Sequence, residues 1–164
     1  EKYGLEHFSF RDFYSKELER RGQPVDRPHM IELADELRKT KGHEYVVGEL
    51  SEQARKAGGN AVIESIRSLG EVDYIKKQSD AVLLAVDAPV EMRYERNKVR
   101  GTSLDPKTFE DFVRDEKREM ENTDPWRTNI AKCILLADYT YDNVSTLEDL
   151  HGWIDSIAPK IGLS

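Results

Sequence analysis

The sequence predicts an α/β fold built on a parallel sheet, and three observations carry that prediction. Short apolar or β-branched segments near residues 7, 61, 82 and 138 alternate with helical stretches, the pattern of strands joined by right-handed crossovers. The run Ala81-Val82-Leu83-Leu84-Ala85-Val86-Asp87 has no polar alternation, as expected of a parallel strand covered on both faces. Helix starts are written out as capping signals, most clearly in Ser68-Leu69-Gly70-Glu71.

In chain order, Glu1-Lys2-Tyr3-Gly4 reads as a helix end with Gly4 as the stop. The chain is therefore expected to begin inside an element and to be a fragment. His7 to Phe10 fits a short strand, and Ser9 with Asp12 three residues on starts a helix that ends at Gly22. Asp26-Arg27-Pro28 opens a second helix, with Ile31, Leu33, Ala34 and Leu37 as its apolar positions and Gly42 as its end. A third runs from about His43 to Lys56 with Val46, Val47, Leu50 and Ala54 on one side. After the turn signal Gly58-Gly59 comes the stretch that organises the chain, Asn60 to Ser68, a β-branched run that gives way to Glu64 and Arg67. A helix from Ser68 to about Gln78 leads to the Ala81–Asp87 strand, and Pro89 opens the helix that carries Arg93, Arg96 and Arg100 to a stop at Gly101.

Asp105-Pro106 starts a further helix, Lys107 to about Glu121, whose narrow stripe of Phe109, Phe112 and Val113 predicts a surface element resting lightly on the body. A loop with Trp126 and a short helix, Asn129 to Leu136, precede the last strand within Ala137 to Asn143. Ser145-Thr146-Leu147-Glu148 then caps a final helix with Leu147, Leu150, Trp153, Ile154 and Ile157 inward.

At 164 residues the chain fits one domain, 1–164, able to bury a sizeable core. Its net charge of −7, with no large basic face apparent, argues against non-specific nucleic-acid binding. A few arginines in a cleft can still bind phosphate in such a protein. Cys133 is the single cysteine, so no internal disulfide can form and a reducing cytoplasm is expected. No apolar run approaches the ~18 residues of a membrane span, so no membrane partner is expected.

Two opposite charges at the carboxyl end of a buried strand point to the crevice where open α/β sheets bind ligands. The structural alternative is that Glu64 and Arg67 form an ion pair closing a strand–helix turn. Arg93, Arg96 and Arg100 share a helix face, which is either a solvated stripe or a wall overlooking phosphates. His7, His29, His43 and His151 are scattered and read as surface or structural residues.

The ordered set Val62-Ile63-Glu64-Ser65-Ile66-Arg67-Ser68-Leu69-Gly70-Glu71-Val72, Ala85-Val86-Asp87-Ala88-Pro89, Arg93-Tyr94-Glu95-Arg96, Phe112-Val113-Arg114-Asp115-Glu116 and Ala137-Asp138-Tyr139 with Asn143 resembles the P-loop kinases near dephospho-CoA kinase and adenylate kinase. The resemblance covers nearly the whole chain and is closest to a branch whose middle strand ends in Asp-Gly-Ile-Arg-Ser. It implies a doubly wound parallel sheet with helices on both faces, Mg²⁺, and phosphoryl transfer from ATP to a nucleoside monophosphate or dephospho-CoA type of acceptor. By the same resemblance Glu64 holds the metal shell and Arg67 clamps the acceptor phosphate. Arg11 and Asp12 begin the acceptor-binding helices (about 11–57), and Arg96, Arg100 and Arg114 belong to a lid (about 96–128). Asn143 lies near the nucleotide base or caps the last helix. Phosphoryl transfer is mostly positioning and charge neutralisation, which suits these residue types.

Glu64-Ser65 stands where the family has Asp-Gly, so the carboxylate reaches one methylene further and the turn loses its most permissive residue. No Gly-x-x-x-x-Gly-Lys-Ser/Thr occurs, and the family strand that precedes that loop is absent too. In the family this strand lies between those matching 61–66 and 81–87, leaving a gap of ~4.8 Å to each side. Buried unpaired backbone groups there would cost roughly 1 to 3 kcal/mol each. A longer natural chain, direct pairing of the two strands, or a neighbouring chain would fill it, and an oligomer is compatible with the last. The expectation is thus an ATP-dependent phosphotransferase, or a fragment of one, with little activity by itself. The alternatives are a non-catalytic nucleotide-binding or regulatory module, or a partner domain that binds by strand addition. The phosphotransferase reading requires Glu64 and Arg67 to open onto a common hollow, with Arg96 or Arg114 folding over it.

Overall fold

The chain is α/β, and its strands are parallel. The computed structural model describes residues 2–100 and 108–163. The elements are β1 (Glu6–Ser9), α1 (Phe10–Arg20), α2 (Arg27–Lys41), α3 (Tyr45–Ala57), β2 (Ala61–Glu64), α4 (Leu69–Lys76), β3 (Leu84–Asp87), α5 (Val90–Arg100), α6 (Phe109–Met120), α7 (Ile130–Leu135), β4 (Tyr139–Asp142) and α8 (Leu147–Ile157), then a 3₁₀ turn. Local chemistry sets most of these boundaries. Ser9 ends β1 and caps α1, Asp26 caps α2 with Pro28 in its first turn, and Ser68 and Glu71 form a reciprocal capping box on α4. Gly58 ends α3 in the left-handed conformation.

Strand pairing is divided. β1 pairs with β2 in the register Glu6–Ala61 through Ser9–Glu64, and β3 pairs with β4 from Leu84–Tyr139 through Asp87–Asp142. β2 and β3, the strands expected to flank a gap, do not pair with each other.

The buried core joins α1, α2 and α3 to the two sheets. Leu18, Leu33, Val47, Leu50 and Val72 are almost wholly buried, and Leu83 and Cys133 extend the same cluster toward β3 and α7. The apolar spacing of α3 and the Leu33, Ala34 and Leu37 positions of α2 serve the purpose read from them, whereas Ile31 is 50% exposed and does not face the core.

Several expectations need correction. The 81–87 run is a strand only over Leu84–Asp87, and it is not covered on both faces: Leu83 is buried, while Val82, Leu84 and Val86 are 42%, 38% and 49% exposed. A strand with one partner, backed by α7, leaves its alternate side chains in solvent. The cap of α8 is Thr146 with Asp149, not Ser145 with Glu148, Asn143 is not the cap, and Leu147, expected inward, is 66% exposed because it is the first residue of the helix, with Ile157 the buried position. Helix α6 is more than lightly rested, because Phe112 is buried and Glu116 and Glu119 tie it to other elements. Tyr3 lies in a turn, with Gly4 at φ 60°. The Gly101 stop, the Asp105-Pro106 start and that part of the expected lid lie outside the described residues, as does Glu1.

Candidate functional site

The parallel pair β1–β2 sets Ser9 and Glu64 side by side at its carboxyl end. Ser9 Oγ donates to Glu64 Oε1 at 2.8 Å, and Ser65 Oγ donates to Oε2 at 2.9 Å. His7 Nε2 lies 3.9 Å from Oε1. Burial pushes the Glu64 carboxyl up, but the two hydroxyls outweigh it, helped by the charges of His7 and Arg67, and hold it below the usual carboxylate range. Glu64 is thus an ionised acceptor at the mouth of the turn. Ser65, in the glycine position of the resembled motif, takes φ 76°, which an L side chain adopts at a cost.

Arg67 is fixed by its backbone. Its N–H donates to Glu71 Oε2 at 2.8 Å, and its carbonyl accepts from the Asn129 N–H at 2.8 Å. Glu71 is itself 1% exposed: Oε2 also accepts from the Ser68 N–H at 2.9 Å, and Oε1 accepts from Arg38 Nε and Nη2 at 3.3 and 3.2 Å. A buried carboxylate supplied with four donors is a rigid anchor for the turn that presents Arg67. The Arg67 guanidinium reaches Glu119 on α6 at 2.7 Å, and Arg27 of α2 reaches the other oxygen of Glu119 at 2.9 Å.

The remaining expected residues gather elsewhere. Arg96 donates to the carbonyls of Asn143 and Ser145 at 2.9 and 3.4 Å, so Arg96 and Asn143 meet at the loop after β4. Nearby, at the carboxyl ends of β3 and β4, Asp87, Ala88, Pro89, Asp142 and Val144 line a hollow of about 380 Å³. A smaller one beside Glu91, Met92, Glu95 and Arg96 measures about 270 Å³. Neither is lined by Glu64 or Arg67. Arg114 pairs with Asp111 and Asp115 of its own helix, and Arg11 and Asp12 are exposed on the first turn of α1. Arg93 is held by Asp87, the Ala88 carbonyl and Glu116, which fastens α6 to β3. Glu64 and Arg67 therefore share one turn and Arg96 and Asn143 share another, so the expected hollow common to Glu64 and Arg67, with Arg96 or Arg114 folded over it, is not met among the described residues: neither hollow is lined by Glu64 or Arg67, and neither Arg96 nor Arg114 bonds to Glu64.

Among the described residues, no group of three or more His, Cys, Asp or Glu side chains is placed to hold a metal ion. Glu64 with the Ser65 hydroxyl is an all-oxygen donor set with a single carboxylate, the Ser9 hydroxyl being fully used by Glu64 and by the Arg11 and Asp12 N–H groups. That set fits an Mg²⁺ that keeps most of its water and takes phosphate oxygens from a substrate, and it does not fit a fully caged cation.

Sequence reasoning missed Glu119, Arg27, Arg38 and the role of Ser9. Ser9 was legible as a cap, but its reach to Glu64 depends on strand register. The other three are charged residues on helices that read as ordinary solvated faces.

No family model matches the chain. It is similar to a UPF0200 protein of Staphylothermus marinus, 30% identical over 158 residues that span 96% of this chain and 80% of the relative. A UPF0200 protein of Methanocaldococcus jannaschii is 31% identical over 163 residues, 98% of this chain and 80% of that one. A third, from Thermococcus sibiricus, is 29% identical across 99% of this chain and 85% of its own length.

Proposed function

We infer that this chain, which belongs to the UPF0200 family, is the acceptor-binding body of an ATP-dependent phosphotransferase for a small nucleotide-like acceptor. The observation that carries the proposal is the Glu64 turn: an ionised carboxylate at the carboxyl end of a parallel strand, with a guanidinium three residues on and the backbone between them anchored by a buried Glu71. Open α/β sheets place ligands at this rim.

In the proposed reaction an acceptor oxygen attacks the terminal phosphorus of ATP, the bond to the ADP oxygen breaks, and the acceptor's proton leaves to solvent or base. Arg67 orients the acceptor through its existing phosphate. Glu64, kept ionised by Ser9 and Ser65, would hold Mg²⁺, whose chemistry is to neutralise charge on the phosphates. Arg96, with Asn143, stands at the second turn, where donor phosphates or base would lie. No phosphate-cradling glycine loop occurs within 1–164, so this chain alone is expected to bind acceptor and turn over little.

The test is acceptor-dependent ADP formation by the full-length protein with ATP, Mg²⁺ and a panel of nucleoside monophosphates and dephospho-CoA. Glu64→Gln is expected to lower turnover about a hundredfold. No turnover on any acceptor would count against the proposal. A non-catalytic nucleotide-binding or regulatory module is the second reading, favoured by one observation: the Arg67 guanidinium is already engaged by Glu119. Nucleotide binding without turnover would select it.

A further inference from the structure

Glu119 sits between two guanidinium groups that come from different parts of the chain. Arg27 Nη2 from α2 meets one carboxylate oxygen at 2.9 Å, and Arg67 Nη1 from the β2–α4 turn meets the other at 2.7 Å. Each arginine gives Glu119 one of its five N–H donors, and neither makes a second direct ion pair among the described residues, although the Arg67 charge also acts on Glu64. Within the contact itself two positive charges face one negative charge. A phosphate monoester carries nearly two negative charges and three acceptor oxygens, so it matches this pair of guanidinium groups better than a carboxylate does.

The contact is partly open to water. The Arg67, Arg27 and Glu119 side chains are 46%, 34% and 25% exposed, and ion pairs at such exposure contribute little stability. It is also placed to control movement. Arg67 binds Glu119 at the end of α6 through its side chain, and Asn129 at the start of α7 through its carbonyl, so both ends of the intervening loop are fastened to one residue. Within that loop Trp126 stacks on His43, with ring centroids 4.4 Å apart and planes 6° from parallel.

We propose that Arg27 and Arg67 form an oxyanion site for a phosphate group, and that Glu119 occupies it in the ligand-free chain as an internal competitor. A phosphate-bearing ligand displaces the Glu119 carboxylate and frees the end of α6 from α2 and from the Arg67 turn. The involvement of a nucleotide rests on the function proposed above, whereas the competition itself does not.

The experiment is calorimetric titration of the full-length protein and its Glu119→Gln variant with inorganic phosphate and, separately, AMP, without ATP. Removing the competing charge is expected to tighten phosphate binding about tenfold, and adding Arg27→Gln to Glu119→Gln is expected to abolish the gain. Tightening for inorganic phosphate alone assigns the site to free phosphate, and tightening for both ligands assigns it to a monoester; either supports the proposal. Equal affinity of parent and Glu119→Gln, no binding by either, or a gain that survives Arg27→Gln would overturn it. Should Glu119→Gln not fold, Glu119→Asp, whose carboxylate falls one methylene short, must show the same direction of change. Phosphoryl transfer is absent from this assay, so its failure and that of the phosphotransferase proposal are separately visible.

Discussion

Ser9 and Glu64 are register partners at the ends of β1 and β2, and one oxygen atom of Ser9 serves both the helix and the site. Ser9 Oγ donates to Glu64 and accepts from the N–H groups of Arg11 and Asp12 at 3.1 and 3.4 Å. Ser9→Ala should therefore cost about 1 to 2 kcal/mol through the lost cap. It should also raise the Glu64 carboxyl pKa, which an NMR pH titration of the Glu64 side chain would follow. An unchanged Glu64 titration would show that the hydroxyl does not hold the charge.

Ser65→Gly tests the strain at the same turn. Relief of a left-handed L residue is worth about 1 to 2 kcal/mol, against about 0.5 to 1 kcal/mol of added chain entropy. The net expectation is a small rise in stability by chemical denaturation. A loss would mean that the bond from Ser65 to Glu64 outweighs the backbone term.

Arg38→Met leaves the buried Glu71 carboxylate without its cation. Breaking a buried pair from one side typically costs about 3 to 5 kcal/mol, so this substitution should lower the urea midpoint more than any surface change. An effect under about 1 kcal/mol would show that the backbone donors of Arg67 and Ser68 suffice for Glu71.

Gly70→Ala sets two effects against each other. Alanine gains up to about 1 kcal/mol of helix propensity in α4. Its Cβ would lie 2.2 Å from His43 Cβ and 2.6 Å from Cγ, however, and such overpacking costs about 1 to 3 kcal/mol. The clash should win, and because His43 stacks on Trp126, tryptophan emission should shift along with the loss of stability.

The acid limb of the stability curve should involve Glu17. Hydrogen bonds from Arg20 and Arg21 hold its carboxyl down to about 2. With a folded pKa below the unfolded one, its contribution is present above about pH 4.5 and is lost as pH falls toward about 2. Glu17→Gln should make stability less steep across that window and unchanged in slope near neutrality. A parallel acid limb in parent and variant would refute the assignment.

What the sequence disclosed depended on how local its cause was. The caps at Ser9, Asp26 and Ser68 and the apolar faces of α2 and α3 are written within a few residues of one another, and the structure has them where the pattern placed them, Ile31 of α2 excepted. The solvent-facing side chains of β3 were hidden, because a uniformly apolar run does not report how many neighbours the strand has. The partners of Glu119 were equally hidden. They lie 92 and 52 residues away, and nothing in the spacing of α6 distinguishes Glu119 from Glu116 or Glu121. Glu64 and Arg67 stood out because charges at a strand's end are unusual, whereas the distance of Arg96 and Arg114 from them depends on how the helices pack.

Leaving β2 and β3 unlinked also has a colloidal consequence. Among the described residues each of these strands pairs on one side only, and Val82, just before β3, is exposed there with Leu84 and Val86 of the strand. Such a margin is a template onto which an extended segment can zip, and the Glu64 carboxylate at the end of β2 is a local charge opposing it, whereas Asp87 at the end of β3 is paired with Arg93. Concentration and ionic strength, more than temperature, should then decide how long the chain stays dispersed.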